Sequence, residues 1–364
     1  MAARRPLSWR TMPTHENTED TFLVCDIGGT NTTFALIAGE PGGFHSVARH
    51  REATQQLPSF SEGLERAMTS LRRHSGSVSP RHVCVSAAGP VHEGTVQLTN
   101  ASWNVDSALL RERLGVPVSL INDLSAVSYG VPLVNRDNPD EFHRLPHPDG
   151  KDPEPVGSVR AVVAAGTGLG VGFLSGDGDA LRVFPSEGGH ATIGDFDSET
   201  REFRAYLREV FGEGTDAEMF VSGQGIAYAT EFVMASGGFS RGRIAESVRA
   251  AAPMDRPALV SRHAAEDSDC RRTMRLFARM YGKFVANVAL TVLPYAGMYL
   301  GGGIASKNLP HLLEDDCFMT AFLTHVNEAM QTPLSQIPVG VILDYDISLF
   351  GCSHCAYLEW RKGG

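Results

Sequence analysis

The sequence predicts an α/β protein of two domains that face each other across a cleft. At 364 residues the chain is long for one domain and sufficient for two. Strand-like runs alternate with helix-like runs along most of it. Two glycine loops, DIGGTN at 26–31 and GTGLG at 166–170, each leave a strand and enter another strand rather than a helix. Because the loops lie in different halves of the chain, they indicate two related halves that hold a nucleotide between them, as in a kinase.

The first loop is predicted to close a hairpin, because it stands between the runs FLVC and TTFALI, which show no helical period. Gly28 and Gly29 allow a tight turn whose N–H groups point at an anion. Thr30 and Asn31 add side-chain donors for phosphate oxygens. Asp26, at the strand end, is placed to hold a hydrated Mg²⁺ ion through water.

The second loop, Gly166-Thr167-Gly168, stands between the runs AVVAA and VGFL and is likewise predicted to close a hairpin. A dinucleotide-binding fingerprint is the alternative, since Gly166, Gly168 and the later Glu187 resemble that pattern. Its sixth position is Val171, and turn formers stand where a helix should follow, so the context argues against it. The sequence also lacks the Gly-Lys-Ser/Thr of a Walker A loop.

The net charge, the apolar runs and the cysteines of the chain limit the partners and the cellular compartment that are expected. The net charge of −10 argues against a nucleic-acid partner and against an anionic membrane surface, and no apolar run is long enough to span a bilayer. Six cysteines scattered through apolar runs indicate buried thiols and a reducing compartment, so the cytoplasm is expected. Cys352 and Cys355 resemble half a zinc site, but packing is favoured because no second ligand pair follows finger spacing.

Further elements follow in chain order. Helices are predicted over 60–73, 105–114, 124–130 and 270–290 and from about 347, and strands over 83–88, 116–121, 298–300 and 339–343. Residues 22–37 and 161–174 match as a weak internal repeat. Residues 134–158, dense in Pro, Asp, His and Gly, are interpreted as a long surface connection.

The domain prediction follows from that connection. A disordered tail is expected over 1–20, for which a short transit peptide is the alternative. A small α/β domain is expected over 21–133 plus 345–364, and a large α/β domain over 134–344.

Asn122 and Asp123 stand where a buried strand gives way to a helix, the edge at which open α/β sheets bind ligands. A carboxylate there can take a proton from an attacking hydroxyl, although an Asp before a helix is also a common N-cap. Glu187 and His190, in the loop SEGGH, are suited to binding several sugar hydroxyls. A metal pair and a plain surface turn are the alternatives. Glu218 alone is typical of a solvated helix residue.

Taken together, these segments resemble the bacterial-type glucokinase family of the actin, Hsp70 and hexokinase superfamily. The resemblance rests on CDIGGTNTTFAL, TNASWNV, LINDLSAVS, AAGTGLGVG, SEGGH, AEMFVSGQG, DCRRTMRLFARMYGKFVANVAL and YLGGGI, which span residues 22–357 in family order. It implies a two-domain actin-like/RNase H-like ATPase fold with an interdomain cleft. The cysteine-rich zinc motif of the related ROK kinases is missing, so the non-ROK branch is expected.

The resemblance also implies the chemistry. ATP and Mg²⁺ are expected as cofactors, with ATP phosphates at the Asp26 and Gly166 loops and adenosine against Gly301–Ile304, including Gly302 and Gly303. Glucose is expected at Asn122, Asp123, Glu187, His190 and Glu218, with Asp123 as the catalytic base. A homodimer is expected.

The expected reaction is phosphorylation of the glucose 6-hydroxyl, the first step of glycolysis. The alternatives are a kinase for another hexose or amino sugar, a kinase that uses ADP or polyphosphate, and a non-catalytic sugar-sensing regulator. A regulator of this descent should carry a DNA-binding helical domain or a damaged base, and the sequence shows neither.

Overall fold

The computed structural model of the protein describes residues 19–76, 78–98, 103–212 and 214–363. Within these ranges the chain forms three sheets and a set of helices around them. The strands are β1 (Thr21–Ile27), β2 (Asn31–Ala38), β3 (His45–Ala53), β4 (His82–Ala87), β5 (Val91–His92), β6 (Thr95–Gln97), β7 (Asn104–Asp106), β8 (Val118–Asn122), β9 (Phe142–Arg144), β10 (Arg160–Ala165), β11 (Leu169–Ser175), β12 (Arg182–Ser186), β13 (Met298–Gly301) and β14 (Val339–Ile342). The α-helices are α1 (Phe60–Ser75), α2 (Ser107–Leu114), α3 (Asp123–Gly130), α4 (Ser198–Phe211), α5 (Gly223–Ala235), α6 (Arg243–Ala250), α7 (Arg256–His263), α8 (Ser268–Val292), α9 (Gly302–Lys307), α10 (Leu309–Leu313), α11 (Cys317–Leu323), α12 (Gln331–Leu334) and α13 (Ile347–Gly363).

The two larger sheets repeat one topology. The first has the order β3-β2-β1-β4-β8, and the second has the order β12-β11-β10-β13-β14-β9. In each, an antiparallel three-stranded meander continues into parallel strands: β4 and β8 in the first sheet, β13 and β14 in the second. The carboxyl ends of the parallel strands therefore meet at one edge of each sheet, where α/β folds bind ligands.

Both predicted hairpins are confirmed. β1 pairs antiparallel with β2, and β10 with β11, and each pair is joined by three residues. The dinucleotide fingerprint is excluded because a strand follows the second loop where that motif needs a helix. The internal repeat, weak in sequence, is a repeat of five strands in the structure.

The long predicted helix is α8, which packs beneath the second sheet. Its stripe of Phe277, Met280, Tyr281, Phe284, Val285 and Val288 is buried. The hydroxyl of Tyr281 donates a hydrogen bond to the Val163 carbonyl of β10 at 3.2 Å. Asp267 caps the helix by accepting hydrogen bonds from the N–H groups of Asp269 and Cys270.

Helix α3 lies between α13 and the second sheet. Along β11, Leu169 and Val171 face the large core while Gly170 and Gly172 face α3. A β-carbon at Gly172 would lie only 2.4 Å from the Ser128 hydroxyl, so α3 can pack this closely only because that face carries no side chains. On its other side, α3 meets α13, which packs against β1 and β4.

The structure differs from two of the predictions made for individual segments. The helix expected to begin at residue 105 begins at Ser107, because Asp106 caps it and Asn104–Asp106 forms the third strand of a small sheet. The connection over 134–158 is not structureless: β9 pairs antiparallel with β14, and Phe142 is buried. A three-residue strand is too short to show a period in sequence. The domain limits stay a prediction.

The cysteines agree with the packing interpretation. Cys352 and Cys355 are buried in the core between α13 and the first sheet. Most of the tail expected over 1–20 falls outside the described residues, as do residues 99–102 of the segment TNASWNV. Trp103 of that segment is buried, and its indole N–H donates to the Leu57 carbonyl at 3.0 Å. No helix in the described ranges is long and apolar enough to cross a membrane.

The contact between α13 and α3 is tight enough to predict a stability effect. A β-carbon at Gly351 would lie 1.8 Å from the Ala126 carbonyl oxygen, a backbone atom that cannot rotate away. Gly351→Ala should therefore separate the helices and lower the free energy of unfolding in urea by about 1–3 kcal/mol. Gly363→Ala, at the open end of the same helix, is the matched control and should cost little. Equal stability of the two variants would contradict this packing.

Candidate active site

Asn122 and Asp123 lie at the end of β8, where α3 begins. The Asn122 side chain caps the helix: its Oδ1 accepts from the N–H groups of Leu124 at 2.8 Å and Ser125 at 3.4 Å. Its Nδ2 donates to the Gly89 carbonyl at 3.1 Å. The capping role considered for Asp123 thus belongs to Asn122, and Asp123 is the first residue of the helix.

Asp123 combines access to solvent with a perturbed environment. Its side chain is exposed, yet the surrounding protein desolvates the carboxyl group and raises its pKa to about 6. The negative charges of Asp26 and Glu187 raise this pKa further, while the hydrogen bond from the Leu124 N–H, 2.8 Å from Oδ1, opposes the shift. Asp26, Asp123 and Glu187 therefore share one acidic environment, although they come from different elements.

Asp26 is held by two hydroxyl groups that the sequence did not single out. Ser86 Oγ donates to Asp26 Oδ1, and Ser348 Oγ donates to Oδ2, each at 2.7 Å. Ser86 is the register partner of Asp26 on the parallel strand β4, so pairing the two predicted strands would have located it. Ser348 lies in the first turn of α13, 322 residues away, and has no local signal in sequence.

The first glycine loop is fixed by Thr54, another residue that the sequence analysis missed. The Gly28 N–H bonds to the Asn31 carbonyl at 2.9 Å, which closes the turn. Thr54, which is buried, donates its hydroxyl to the Gly28 carbonyl at 2.7 Å and its N–H to the Thr30 carbonyl at 3.0 Å. The turn is therefore tied to the end of β3.

The second loop is tied to Glu218. The Gly166 N–H bonds to the Gly168 carbonyl at 2.8 Å, and Glu218 Oε2 accepts from the Leu169 N–H at 2.9 Å. A β-carbon at Gly168 would lie 2.6 Å from that same oxygen, so glycine is needed for the approach. The solvated-helix interpretation of Glu218 is wrong, because the residue lies in a turn and its carboxylate binds the loop backbone.

The glycines that follow β13, in the first turn of α9, lie beside the second loop. β13 runs parallel to β10, so Gly302 and Gly303 follow the same sheet edge as Gly166. Gly302 has φ +83°, and a β-carbon there would lie 2.3 Å from the Ala165 carbonyl. Both the backbone conformation and the space require glycine at this position.

His190 is paired with Asp216, which the sequence analysis did not identify. His190 Nδ1 lies 2.9 Å from Asp216 Oδ2, and this hydrogen bond, with the nearby charge of Glu218, raises the pKa of His190. The Glu218 N–H bonds to the Gly189 carbonyl at 3.1 Å, which joins the two loops. Asp216 stands two residues before Glu218, and its place in that loop is the one signal that could have indicated it.

The predicted sugar residues therefore converge. The charge of Glu187 acts on both Asp123 and His190, so Glu187 lies near both of these side chains. Across the described ranges, no cluster of three or more His, Cys, Asp or Glu side chains could hold a metal ion. The metal-pair interpretation of Glu187 and His190 therefore gains no third ligand from this part of the chain.

Proteins of similar sequence include several glucokinases. The glucokinase family model matches residues 23–359. The glucokinase of Nostoc sp. (strain PCC 7120) is 33% identical over 348 residues, covering 92% of this chain and 98% of that protein. The glucokinase of Synechocystis sp. (strain PCC 6803) is 33% identical over 359 residues, covering 92% and 97%.

Solved structures share the fold. The crystal structure of a glucokinase from an Antarctic psychrotroph superposes with a TM-score of 0.76 at 24% identity, covering 93% of this chain and 99% of that one. The Balamuthia mandrillaris glucokinase, solved in complex with glucose, gives 0.71 at 22% identity, covering 93% and 94%.

The fold and site define a sugar kinase of the actin-like ATPase fold, as the sequence predicted. The chain belongs to the glucokinase family. Assignment to its non-ROK branch stays a prediction.

The acidic environment of Asp123 yields a prediction. Asp26→Asn removes one of the negative charges that raise the pKa of Asp123, so that pKa should fall below about 6 while desolvation keeps it above its ordinary value of 3.8. Titration of ¹³C-labelled aspartate carboxyl groups by NMR measures it. Asp137→Asn, a surface change outside the site, is the control. An unchanged pKa in the Asp26→Asn variant would show that the two carboxylates do not interact.

Proposed function

We propose that the protein transfers the γ-phosphoryl group of ATP to the 6-hydroxyl of D-glucose. The observation that carries the proposal is the position of Asp123: a solvent-accessible carboxylate with a pKa of about 6, beside Asp26 and Glu187. Family membership supports glucose and ATP as substrates. A carboxylate with this pKa is ionised at neutral pH and is a stronger base than an ordinary aspartate.

Asp123 accepts the proton of the 6-hydroxyl as that oxygen attacks the phosphorus. Its Oδ1 is engaged by the Leu124 N–H, and no hydrogen bond to Oδ2 occurs among the described residues, so Oδ2 is the atom for the proton. General-base catalysis of this kind contributes about 10²- to 10⁴-fold. Most of the remaining catalysis of phosphoryl transfer comes from positioning and charge stabilisation.

The sugar is held by Asn122, Glu187, His190 and Glu218. Each has hydrogen-bonding capacity left after the contacts described: Asn122 retains a second Nδ2 hydrogen, and Glu218 retains Oε1. His190 turns Nδ1 to Asp216, which leaves Nε2 for the ligand. Such a set of donors and acceptors discriminates among sugars, because an analogue lacking a hydroxyl strands a polar group.

The nucleotide lies across the two glycine loops. The loops Gly28–Asn31 and Gly166–Gly168 face the phosphates with the backbone N–H groups that do not close the turns, since those of Gly28 and Gly166 are already bonded within their loops. Gly302 and Gly303 lie against the adenosine. Asp26 fits a hydrated Mg²⁺: its carboxylate is fixed by two serine hydroxyls, and a single carboxylate that acts through water suits an ion that retains its waters. When bound, Mg²⁺ supplies positive charge against the phosphate oxygens.

The cellular location and the binding partners of the enzyme are also proposed. The six cysteines are free thiols and buried, which supports a reducing compartment and hence the cytoplasm. The net charge of −10 supports small-molecule substrates rather than nucleic acid or membrane. A homodimer is proposed on the family resemblance alone.

A coupled assay across sugars and phosphoryl donors tests the function. Glucose with ATP should give the highest kcat/KM, above fructose, mannose and glucosamine as acceptors and above ADP and polyphosphate as donors. A higher value for another sugar or donor would move the assignment to that alternative. No turnover with any pair, together with tight glucose binding by calorimetry, would identify a sugar-sensing regulator.

The base is tested by Asp123→Asn. The amide keeps the shape of the side chain but cannot take the proton, so kcat should fall by about 10²-fold or more while glucose binding persists. In the unchanged enzyme, kcat should be lost as the pH falls through about 6, because protonation of Asp123 has the same effect. Near-normal turnover of the variant, or a kcat that stays constant below pH 6, would remove Asp123 from this role.

The pair His190–Asp216 predicts a pH-dependent defect. Because the bond to Asp216 raises the pKa of His190, the ring stays protonated, with Nε2–H as a donor, to a pH above its ordinary value of 6.5. Asp216→Asn should lower that pKa and weaken glucose binding mainly at pH values just above 6.5, where only the unchanged protein is protonated. At pH 5.5 both are protonated, and the difference should shrink. Calorimetry of glucose binding by both proteins at each pH measures this, and the titration of Asp123 affects both proteins alike. A defect of equal size at both pH values would indicate a purely structural role for Asp216.

A further inference from the structure

A groove of about 270 Å³ on α8 is lined by four arginines. They belong to the run DCRRTMRLFARMYGKFVANVAL, on which the family resemblance partly rests, yet the proposed reaction uses none of them. Positions 271, 275 and 279 recur every fourth residue and so share one face of the helix, with 272 beside them. The lining, named here the arginine groove, consists of Glu199, Ser268, Arg271, Arg272, Arg275 and Arg279.

Glu199, in the first turn of α4, fixes two of the guanidinium groups. Its Oε1 accepts from Arg272 Nε at 2.8 Å, and its Oε2 accepts from Arg279 Nη1 at 2.9 Å. Arg272 also lies over the Phe232 ring at 5.8 Å, and Arg279 over the Phe196 ring at 5.6 Å. Both groups are therefore positioned before any ligand arrives, which reduces the entropy lost on binding.

Acidic side chains at the rim limit the repulsion among the arginines. Arg279 pairs with Asp197, Arg271 with Glu314, and Arg275 with Asp315, so each positive charge has a negative neighbour. This balance also supports the simpler interpretation of an ion-pair network that only ties α4 to α8.

The donors that remain favour a ligand. In the described part of the chain, no hydrogen bond or ion pair occupies either terminal nitrogen of Arg272, or Nε and Nη2 of Arg275. These groups lie along a cavity rather than against protein. A guanidinium with its terminal N–H groups free can bind a phosphate through two parallel hydrogen bonds.

We propose that the arginine groove binds a phosphorylated small molecule, with its phosphate between Arg272 and Arg275. The groove is several times larger than the roughly 30 Å³ that a water molecule occupies, so it has room for an organic body as well as the phosphate. A nucleic-acid backbone is disfavoured by the net charge of −10. The proposal does not depend on the proposed function.

Calorimetry with ribose 5-phosphate as the probe tests the proposal. The full chain is first saturated with glucose, Mg²⁺ and a non-hydrolysable ATP analogue, so that the nucleotide site cannot take up the probe. Ribose 5-phosphate should bind with one site per chain, and more tightly than inorganic phosphate. Equal affinity for the two would show that no organic body is recognised. No binding would reduce the groove to an ion-pair network.

Variants locate the site. The double change Arg272→Gln and Arg275→Gln should weaken binding about tenfold or more, since the phosphate loses both of its guanidinium partners. Arg272→Lys with Arg275→Lys keeps the charge but loses the paired donors, and it should also weaken binding. Arg241→Gln with Arg243→Gln, exposed residues elsewhere, removes the same charge and is the control. Equal weakening by the first double change and by the control would show a general effect of charge and overturn the proposal, as would unchanged binding in the first. Thermal unfolding of each variant confirms that it is folded.

Discussion

The packing of α3 against the glycine face of β11 is the constraint on which the site depends. Gly170 and Gly172 leave that face bare, so α3 lies almost on the strand backbone. Asp123 begins this helix, and therefore its position is set relative to the second sheet although β8, which leads into it, belongs to the first. The separation between Asp123 and Glu187 is thus determined by a buried contact rather than by a surface loop, and buried contacts do not deform continuously.

The two glycine loops have the same length but different supports, and the difference has a consequence. The first is held by Thr54, a buried residue that is not among the proposed ligand-binding residues. The second is held by Glu218 through the Leu169 N–H, and Glu218 is also a proposed sugar ligand. Because Glu218 accepts from the Leu169 N–H, a shift of its carboxylate toward a bound sugar would act directly on the loop proposed to bind the ATP phosphates.

The sequence predicted what local patterns encode. The hairpins, the long helix α8 and the strand ends that carry Asp26 and Asn122 follow from periodicity and turn chemistry. Their partners could not be predicted: Ser348 reaches Asp26 from 322 residues away, and Asp216 meets His190 only because two loops are joined by a backbone hydrogen bond. The strand β9 was missed because its stability comes from backbone pairing with β14, which three residues cannot signal. Loops that are distant in sequence meet only when the sheets have assembled, so a local pattern does not show which loops will meet.

Asp26 and Asp123 illustrate how surroundings assign different roles to one kind of side chain. Both oxygens of Asp26 accept hydroxyl hydrogen bonds, which fix the orientation of its carboxylate. Asp123 has one oxygen bound by its own helix and is desolvated by its neighbours, so its affinity for a proton rises. The serine hydroxyls of β4 and α13 therefore act on the site indirectly, because they fix the orientation of Asp26, whose negative charge raises the pKa of Asp123.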